Sequence, residues 1–456
     1  MNNRLGEESI NKLLWELSIP AILGMLSGAI FNIVDRIYVG RISSLALTGV
    51  GITMPVQILH MSLVLLVGVG TSTLISIRLG EGKKDEAEEI LFLALKYIVI
   101  AMIAFAGFFL IFEDAILSLL SISEATMPYA KIYIEIIIIG AIIGIPGYCL
   151  NNSLRAIGKA AISMKIILFT SVLNIILDPI FIFALDMGIA GAAIATVISQ
   201  AVLTAYVIYV FATGKDFAIN LRFRKVHGEA RLFSQIMKNG SPSFLVQVLA
   251  SFVSIFINWS FLEYGTDLDI ASVTIMSTIF SFYHMIVFGI VQGNQPICGF
   301  NWGARKYDRV AHSLRLSLMY SFVLSTILFA MIQFFPFIMV RMFTADPELI
   351  EITSGAIRVY LSMLPLVGLQ TISAQYFQAV GKPKLSSVLS FLRYGVIVVP
   401  SILIMAPAFG VNGIYMSNAV SDCIASVIAI GFIIAEMRNL SRMHHGSLSH
   451  EAEANI

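Results

Sequence analysis

The feature that most constrains this chain is a succession of long apolar stretches separated by short polar segments. A helix needs about 20 mainly apolar residues to cross the hydrocarbon core of a bilayer. Only 12% of the residues are charged, against about 25% in a typical soluble domain. We therefore expect an all-α integral membrane protein. The stretches predict twelve transmembrane helices, at 14–38, 45–77, 89–112, 128–156, 161–184, 188–212, 236–262, 269–300, 311–337, 348–379, 384–407 and 410–436.

The composition argues against several other classes of protein. A formal net charge of +1 provides no basic surface for nucleic acid. The three cysteines, Cys149, Cys298 and Cys423, lie far apart in apolar stretches and lack the spacing of metal ligands. The sequence has neither a glycine-rich phosphate-binding motif nor a converging set of nucleophile and base. We therefore expect no cofactor and no enzymatic activity.

The positions of lysine and arginine predict the orientation of the chain. With the amino terminus inside, most basic residues, Arg393 among them, fall on the cytoplasmic side. The loop that contains Glu263, Asp267 and Asp269 is purely acidic and falls outside. We expect a multi-pass protein of the cell inner (plasma) membrane, monomeric and embedded in the lipid bilayer, with both termini in the cytoplasm.

The two halves of the chain resemble each other at a nearly fixed offset. Pro20 and Pro242 open the two halves and are 222 residues apart. Two further segments align at an offset of 223 residues: SIRLGEGKKDEA (76–87) with GFNWGARKYDRV (299–310), and NNSLRAIGKA (151–160) with AQYFQAVGKP (374–383). Each half holds six predicted spans, so both insert in the same direction. This parity predicts two six-helix lobes related by a pseudo-two-fold axis along the membrane normal, as in transporters.

These features give a division into four parts. We expect an N-terminal lobe with a cation site at 1–212 and a cytoplasmic linker at 213–238. A C-terminal lobe at 239–437 and a cytoplasmic tail at 438–456 complete the chain.

An aspartate near the end of the first span is the leading candidate for chemistry. Asp35 lies in FNIVDRIYVG (31–40), and a charge inside a membrane costs about 2.5–3.5 kcal/mol on insertion scales. The fifth and sixth spans add Asn174, Asp178 and Thr196. At 1.5 Å per residue, Asp35 lies about 31 Å and Asp178 about 25 Å from the inner ends of their spans, and Thr196 about 12 Å from an outer end. All therefore fall in the outer half of the N-terminal lobe.

Asn174 and Asp178 are four residues apart and share a helix face. Pro179 follows at once and leaves the carbonyl of Ile175 without its helical partner, which is tolerated where a cavity is lined. Two carboxylates in a low dielectric cannot both stay ionised without a proton or a cation between them. We expect a proton or Na⁺ site at Asp35 and Asp178; the alternative is a polar tie between two helices.

The second half does not repeat this set, because Asn258, Ile397 and Ser401 occupy the equivalent positions. Ion chemistry is therefore expected in the first lobe alone. Two other acids stay open: Asp422 is either a second acidic site or a hydrogen-bonded partner of Asn418 or a neighbour, and Glu135 is either functional or interfacial. We expect a substrate cleft lined by polar and soft side chains, namely Gln292, Asn294, Asn258 and Met276.

Together these features resemble the multidrug and toxic compound extrusion (MATE) family, in its DinF-like and MepA-like branch. The resemblance covers essentially the whole chain. It implies that Asp35, Asn174, Asp178 and Thr196 form a cation site, that Asn151 joins the same polar network, and that Pro20 bends the first helix on protonation. It also implies antiport, in which inward flow of H⁺ or Na⁺ drives out cationic, amphipathic drugs or toxins.

One alternative function remains on the same superfamily fold. A flippase for a polyprenyl-linked saccharide precursor would need basic residues inside the cavity to bind pyrophosphate. Because nearly every lysine and arginine is expected at a membrane boundary, the sequence favours the antiporter.

Overall fold

A computed structural model describes residues 4–120, 122–214, 217–222 and 226–454, without side chains at 258, 262, 267 and 446–454. Every regular element in this part of the chain is helical. The helices are α1 Arg4–Glu7, α2 Ile10–Ile42, α3 Ser44–Ile52, α4 Met54–Val64, α5 Gly70–Gly80, α6 Lys84–Ile111, α7 Glu113–Leu119, α8 Met127–Ala156, α9 Ala160–Pro179, α10 Gly188–Thr213, α11 Glu229–Tyr264, α12 Asp267–Gly303, α13 Tyr307–Phe334, α14 Pro336–Arg341, α15 Pro347–Tyr360, α16 Leu364–Ala379, α17 Pro383–Phe391, α18 Val398–Phe409 and α19 Val411–Ala454. Three π-helical segments join or extend them, at Leu65–Val69, Ile180–Ala184 and Leu392–Ile397.

The number of membrane-spanning helices agrees with the sequence prediction. Among the described residues, 11 helices are long and apolar enough to cross a membrane, or up to 12 when one bent pair counts as a single span. The all-α integral membrane fold is therefore confirmed.

Two predicted spans are wrong in their details. The second begins at Met54 rather than at 45, and α3 precedes it as a separate helix. The tenth is divided into α15 and α16, which are bent by 52°. Both breaks coincide with a proline in the first turn of the following helix, at Pro55 and Pro365. Proline lacks the N–H that would continue a preceding helix, so it starts a new one.

The chain forms two compact units. Each contains five whole predicted spans and part of the first and seventh predicted spans, which the unit boundaries divide. The first unit is Ile19–Phe244; the second unit joins Arg4–Ser18 to the chain from Leu245 onward. The boundaries therefore fall inside α2 and inside α11, each within two residues of a proline, Pro20 or Pro242. Both helices nevertheless continue through their prolines.

Close packing of α8 against α10 forms the centre of the first unit. The hydroxyl of Thr204 donates to the carbonyl of Gly144 (2.8 Å) and accepts from the backbone N–H of Gly147 (3.0 Å). A Cβ added at Gly144 would lie 2.6 Å from Cβ of Gln200. Small residues of this kind let two membrane helices approach backbone to backbone.

The amino-terminal segment packs within the second unit. Tyr320 donates to the side-chain oxygen of Asn11 (2.6 Å) and stacks at 4.9 Å on Trp15. Three side chains also donate hydrogen bonds to backbone carbonyls of this segment. Asn301 donates to Leu5 (2.9 Å), Lys306 to Gly6 (2.9 Å) and Arg309 to Glu8 (2.6 Å). These carbonyls end the short α1, where the partial negative charge of a helix favours cations.

Candidate cation site in the first unit

Four predicted site residues lie on three helices of the first unit, and all four are buried. Asp35 on α2 is 7% exposed, Asn174 and Asp178 on α9 are 2% and 0% exposed, and Thr196 on α10 is 9% exposed. The helix pitch explains why Asn174 and Asp178 share one face. All four polar groups therefore lie in the interior of the structure rather than on its surface.

Asn174 connects the other members of the set. Its side-chain N–H group donates to Oδ1 of Asp178 (3.2 Å) and to Oγ1 of Thr196 (3.4 Å). Asp35 and Asp178 lie within electrostatic range of each other. The structure thus brings the two carboxylates, the amide and the hydroxyl into one neighbourhood.

Several oxygens of this group accept no hydrogen bond from the described residues. They are Oδ1 of Asp35, Oδ1 of Asn174 and Oδ2 of Asp178, and each is fully buried. A buried acceptor without a donor normally costs about 1–3 kcal/mol. Three such oxygens, two of them from carboxylates, could bind a proton or act as ligands to a hard cation such as Na⁺.

A small cavity lies beside these residues. It measures ≈ 10 Å³, close to the smallest space that holds a water molecule. Polar side chains dominate its lining, with Asn174 and Thr196 among them; the others are Phe31, Tyr148, Thr170, Ser171, Ser199 and Gln200. Such a space holds at most one water molecule, which is enough to relay a proton, and it is too small for a drug.

Apolar packing closes the site on one side. One cluster of buried side chains joins α2, α3, α8 and α10 with the π-helical segment that follows Pro179. Val39 and Ile182, one turn beyond Asp35 and Asp178, are 0% and 2% exposed. Burial of this kind lowers the local dielectric and strengthens the interaction between charges.

Tyr133 is a member of this site that the sequence did not predict. It lies in the same apolar cluster, is 4% exposed, and is within electrostatic range of both Asp35 and Asp178. Sequence reasoning instead singled out Glu135 on the same span, because an uncharged phenol in an apolar run draws no attention. The signal available was an aromatic hydroxyl at the depth of the two acids.

Asn151 lies in a different set of contacts. It is 2% exposed on α8, and its N–H group donates to the hydroxyl of Ser163 (2.8 Å), which also accepts from Arg155 (3.0 Å). No hydrogen bond links it to Asn174 or Asp178 among the described residues. Its membership of the cation network remains a prediction drawn from the family resemblance.

The predicted cleft residues of the second unit occupy varied environments. Met276 is 0% exposed in the apolar core. Asn294 is 4% exposed, and its carbonyl oxygen accepts from Ser313 (2.5 Å) and from Cys298 (3.4 Å). Gln292 is half-buried, and the side chain of Asn258 lies outside the described residues. Their role in a substrate cleft remains a prediction.

Arg393 lies elsewhere than the sequence predicted. Arg393 does not lie at the cytoplasmic boundary but in the π-helical segment between α17 and α18, where its side chain is 7% exposed. Its Nε donates to Oδ1 of Asp422 at 2.8 Å. Charge pairing makes an arginine tolerable at membrane depth. Asp422 therefore has a buried arginine as its partner, which the sequence did not predict.

Glu135 belongs to an ionic cluster at the end of the first unit that holds α7. Lys131 lies 3.4 Å from Glu113, 3.2 Å from Asp114 and 4.0 Å from Glu135. Burial, together with the nearby Glu135, raises the pKa of Glu113 above its ordinary value. Three acids thus share one lysine, and Glu113 is the most buried of them.

The raised pKa of Glu113 gives a testable pH dependence. The folded state keeps this proton to a higher pH than the unfolded state, so the contribution of Glu113 to stability falls as pH rises above its unfolded pKa of about 4.3. We expect Glu113→Gln to raise the melting temperature relative to the parent, by an amount that grows from pH 4.5 towards neutrality. Glu124→Gln, at an exposed position between α7 and α8, should leave the melting temperature unchanged at every pH in this range. A difference that shrinks with rising pH would contradict this sign.

An all-helical membrane protein of two units, with buried acids in both of them, has an architecture that is found among transporters. The MatE family model matches the chain twice, at residues 20–180 and 242–434. The chain therefore belongs to the MatE family, which confirms the resemblance drawn from the sequence. The two matches begin at Pro20 and Pro242, the residues that open the two repeats.

Known proteins of similar length match over nearly the whole chain. A multidrug export protein MepA of Staphylococcus haemolyticus is 26% identical and covers 97% of both chains. Among solved structures, a MOP superfamily transporter from Pyrococcus furiosus has a TM-score of 0.90 at 24% identity, over 96% of this chain and 98% of its own. The MATE transporter VcmN of Vibrio cholerae has a TM-score of 0.88 at 24% identity, over 94% and 97%. These structures share the fold.

Proposed function

We propose that this protein is a secondary active multidrug efflux antiporter that exports cationic, amphipathic compounds in exchange for H⁺ or Na⁺. The observation that carries the proposal is the buried pair Asp35 and Asp178, which lie in electrostatic range of each other. Each has a carboxylate oxygen that accepts no hydrogen bond from the described residues. Two such acids need a positive charge between them or a bound proton. A site that must gain and lose a cation is what ion coupling requires.

The surrounding groups support the same conclusion. Asn174 and Thr196 add an amide oxygen and a hydroxyl to the two carboxylates, and all four are oxygen ligands, which hard cations prefer. Na⁺ would therefore be held by Asp35 and Asp178 with these neighbours; a proton would need only the carboxylates. We favour the proton, because the N–H group of Asn174 already donates to Asp178 and to Thr196, and Na⁺ would have to displace this donor from both oxygens.

Exchange follows when occupancy of this site and drug binding oppose each other, since such a coupling is reciprocal. In the outward-open state the acids take up the ion, α2 rearranges about Pro20, and drug leaves. In the inward-open state the ion leaves and drug enters. The multidrug export named for the MepA relatives supports small-molecule drugs as substrates. We propose further that the protein is a monomer in the plasma membrane with both termini in the cytoplasm.

The coupling is tested in proteoliposomes that contain the purified full chain and accumulate ethidium. One set has a pH gradient, a second has a Na⁺ gradient, and a third has neither. We expect transport with the pH gradient, abolished by a protonophore. Uptake driven by Na⁺ alone would reassign the ion, and uptake that is equal in all three sets would reject antiport.

The flippase alternative gains one observation, since Arg393 is a basic residue inside the membrane. Asp422 neutralises it at 2.8 Å, however, so no net positive charge remains for a pyrophosphate. The pair therefore offers no free positive charge that would bind a pyrophosphate. An assay of lipid-linked saccharide flipping in the same proteoliposomes should show no activity above empty liposomes.

A further inference from the structure

The buried pair of Arg393 and Asp422 forms a polar site in the second unit that is separate from the cation site of the first. Arg393 lies ten residues after Pro383, where its span begins, and Asp422 lies eleven residues after Val411. At 1.5 Å per residue both are about 15 Å from a helix end, near the middle of a bilayer. An ionised pair at this depth indicates function.

Aromatic rings surround the guanidinium. The Cζ atom of Arg393 lies 4.9 Å from the ring centroid of Tyr394 and 6.0 Å from that of Phe280. Tyr283 and Tyr360 are within electrostatic range of the same group. A carboxylate with several aromatic faces is the arrangement that recognises organic cations.

The contacts of Arg393 are few for a structural ion pair. Within the described part of the chain, Nε alone binds Asp422, at Oδ1, and Nη1 donates to the hydroxyl of Tyr394 at 3.3 Å. A two-pronged arginine–carboxylate pair would be stronger. The backbone here is π-helical, a departure from the α-helix that is frequent at functional sites.

The internal repeat gives independent support. An offset of 222 or 223 residues places Arg393 on Ser171 or Thr170, and Asp422 on Gln200 or Ser199. Those four residues all line the small cavity beside Asn174 in the first unit. Both units thus hold polar groups at the same place in the fold, neutral in the first unit and charged in the second.

We propose that Asp422, Phe280 and Tyr394 form a binding site for an organic cation, which the guanidinium of Arg393 occupies in this structure. The choice of ligand rests on the proposed function. Arg393 acts as an internal competitor: an incoming cation replaces its contact with the carboxylate and the rings. The ion site and the substrate site then lie in different units, which explains why the second half lacks counterparts of Asp35 and Asp178.

The test measures equilibrium binding of ethidium to the purified full chain in lipid nanodiscs, without any ion gradient. Without Arg393, every copy of the site is open to ligand. The apparent affinity therefore rises by the inverse of the fraction of sites that Arg393 leaves unoccupied in the parent. If the site is free about a tenth of the time, Arg393→Gln tightens binding by about 10-fold. Free guanidinium should compete for the site in this variant.

The double variant Arg393→Gln with Asp422→Asn keeps the site neutral and should lose the gain. Equal binding by the single and double variants, or no gain in a folded single variant, would overturn the proposal and leave a structural ion pair. Should Arg393→Gln fail to accumulate, Phe280→Leu in the parent is measured instead. Loss of one aromatic face should weaken binding by about 3-fold or more, and unchanged affinity would overturn the proposal.

These outcomes are independent of the antiport experiment. A binding gain without gradient-driven transport would retain this site and reject antiport. Gradient-driven transport without the gain would retain antiport and reject this site.

Discussion

Asp178→Asn should reduce drug export to the level of a host without the protein. The substitution preserves the size of the side chain and leaves an oxygen to accept from Asn174, which now lies 3.2 Å from Oδ1. It removes the only charge on α9 at this depth, so the pair with Asp35 can no longer release and rebind a cation. The measurement is resistance to ethidium in a pump-deficient host, with the amount of folded protein followed by size-exclusion chromatography.

The matched control is Asp186→Asn, the same chemical change a few residues further along the chain. Asp186 is exposed and has a positive φ of 52°, a backbone conformation that asparagine accepts readily. This variant should export like the parent. Ion-driven export that persists in folded Asp178→Asn would remove Asp178 from the coupling mechanism.

Gly240→Ala should destabilise the first unit strongly. A methyl group at Gly240 would overlap the backbone carbonyl of Leu66, and one at Gly70 would overlap the carbonyl of Ile236. The two helices α5 and α11 therefore meet through glycine on both sides, as in other close helix pairs in membranes. Overpacking costs about 1–3 kcal/mol and more where backbone must move. We expect a lower melting temperature and reduced accumulation in the membrane.

Gly107→Ala is the control for the intrinsic effect of alanine in a helix. Gly107 lies within α6 and has no neighbour within 4 Å of an added Cβ. Alanine is favoured over glycine in a helix interior by about 0.5–1 kcal/mol, so this variant should be as stable as the parent or slightly more stable. A Gly240→Ala protein with the same melting temperature as Gly107→Ala would contradict the close approach.

Some residues of the cation site could be predicted from the sequence and others could not. Asp35 and Asp178 stand out because charge is costly in an apolar span, and Asn174 follows from its i, i+4 spacing. Tyr133 carried no such signal. Asn151 has Ser163 as a hydrogen-bond partner, and its membership of the cation network stays a prediction. The depth of a residue can be counted along a helix, but its direction around the helix axis cannot.

Arg393 is a residue whose depth in the membrane the sequence pattern predicted wrongly. Charge counting assigned it to a membrane boundary because basic residues usually lie there. The partner that makes its burial tolerable, Asp422, is 29 residues away on another helix, and nothing local in either segment marks the pairing. The bend between α15 and α16 could have been expected, since Pro365 was visible in the sequence.

The sequence alone determined the class of this protein, its helix count, its duplication and the acids of its first lobe, because each depends on local hydrophobicity, spacing or cost of burial. The tertiary structure decided which polar groups meet. Lipid tails are as apolar as the protein interior, so the apolar pattern of a membrane helix does not fix which face it turns towards its neighbours. That choice comes from close packing between particular residues, such as Gly144 against α10, and only the assembled helices display it.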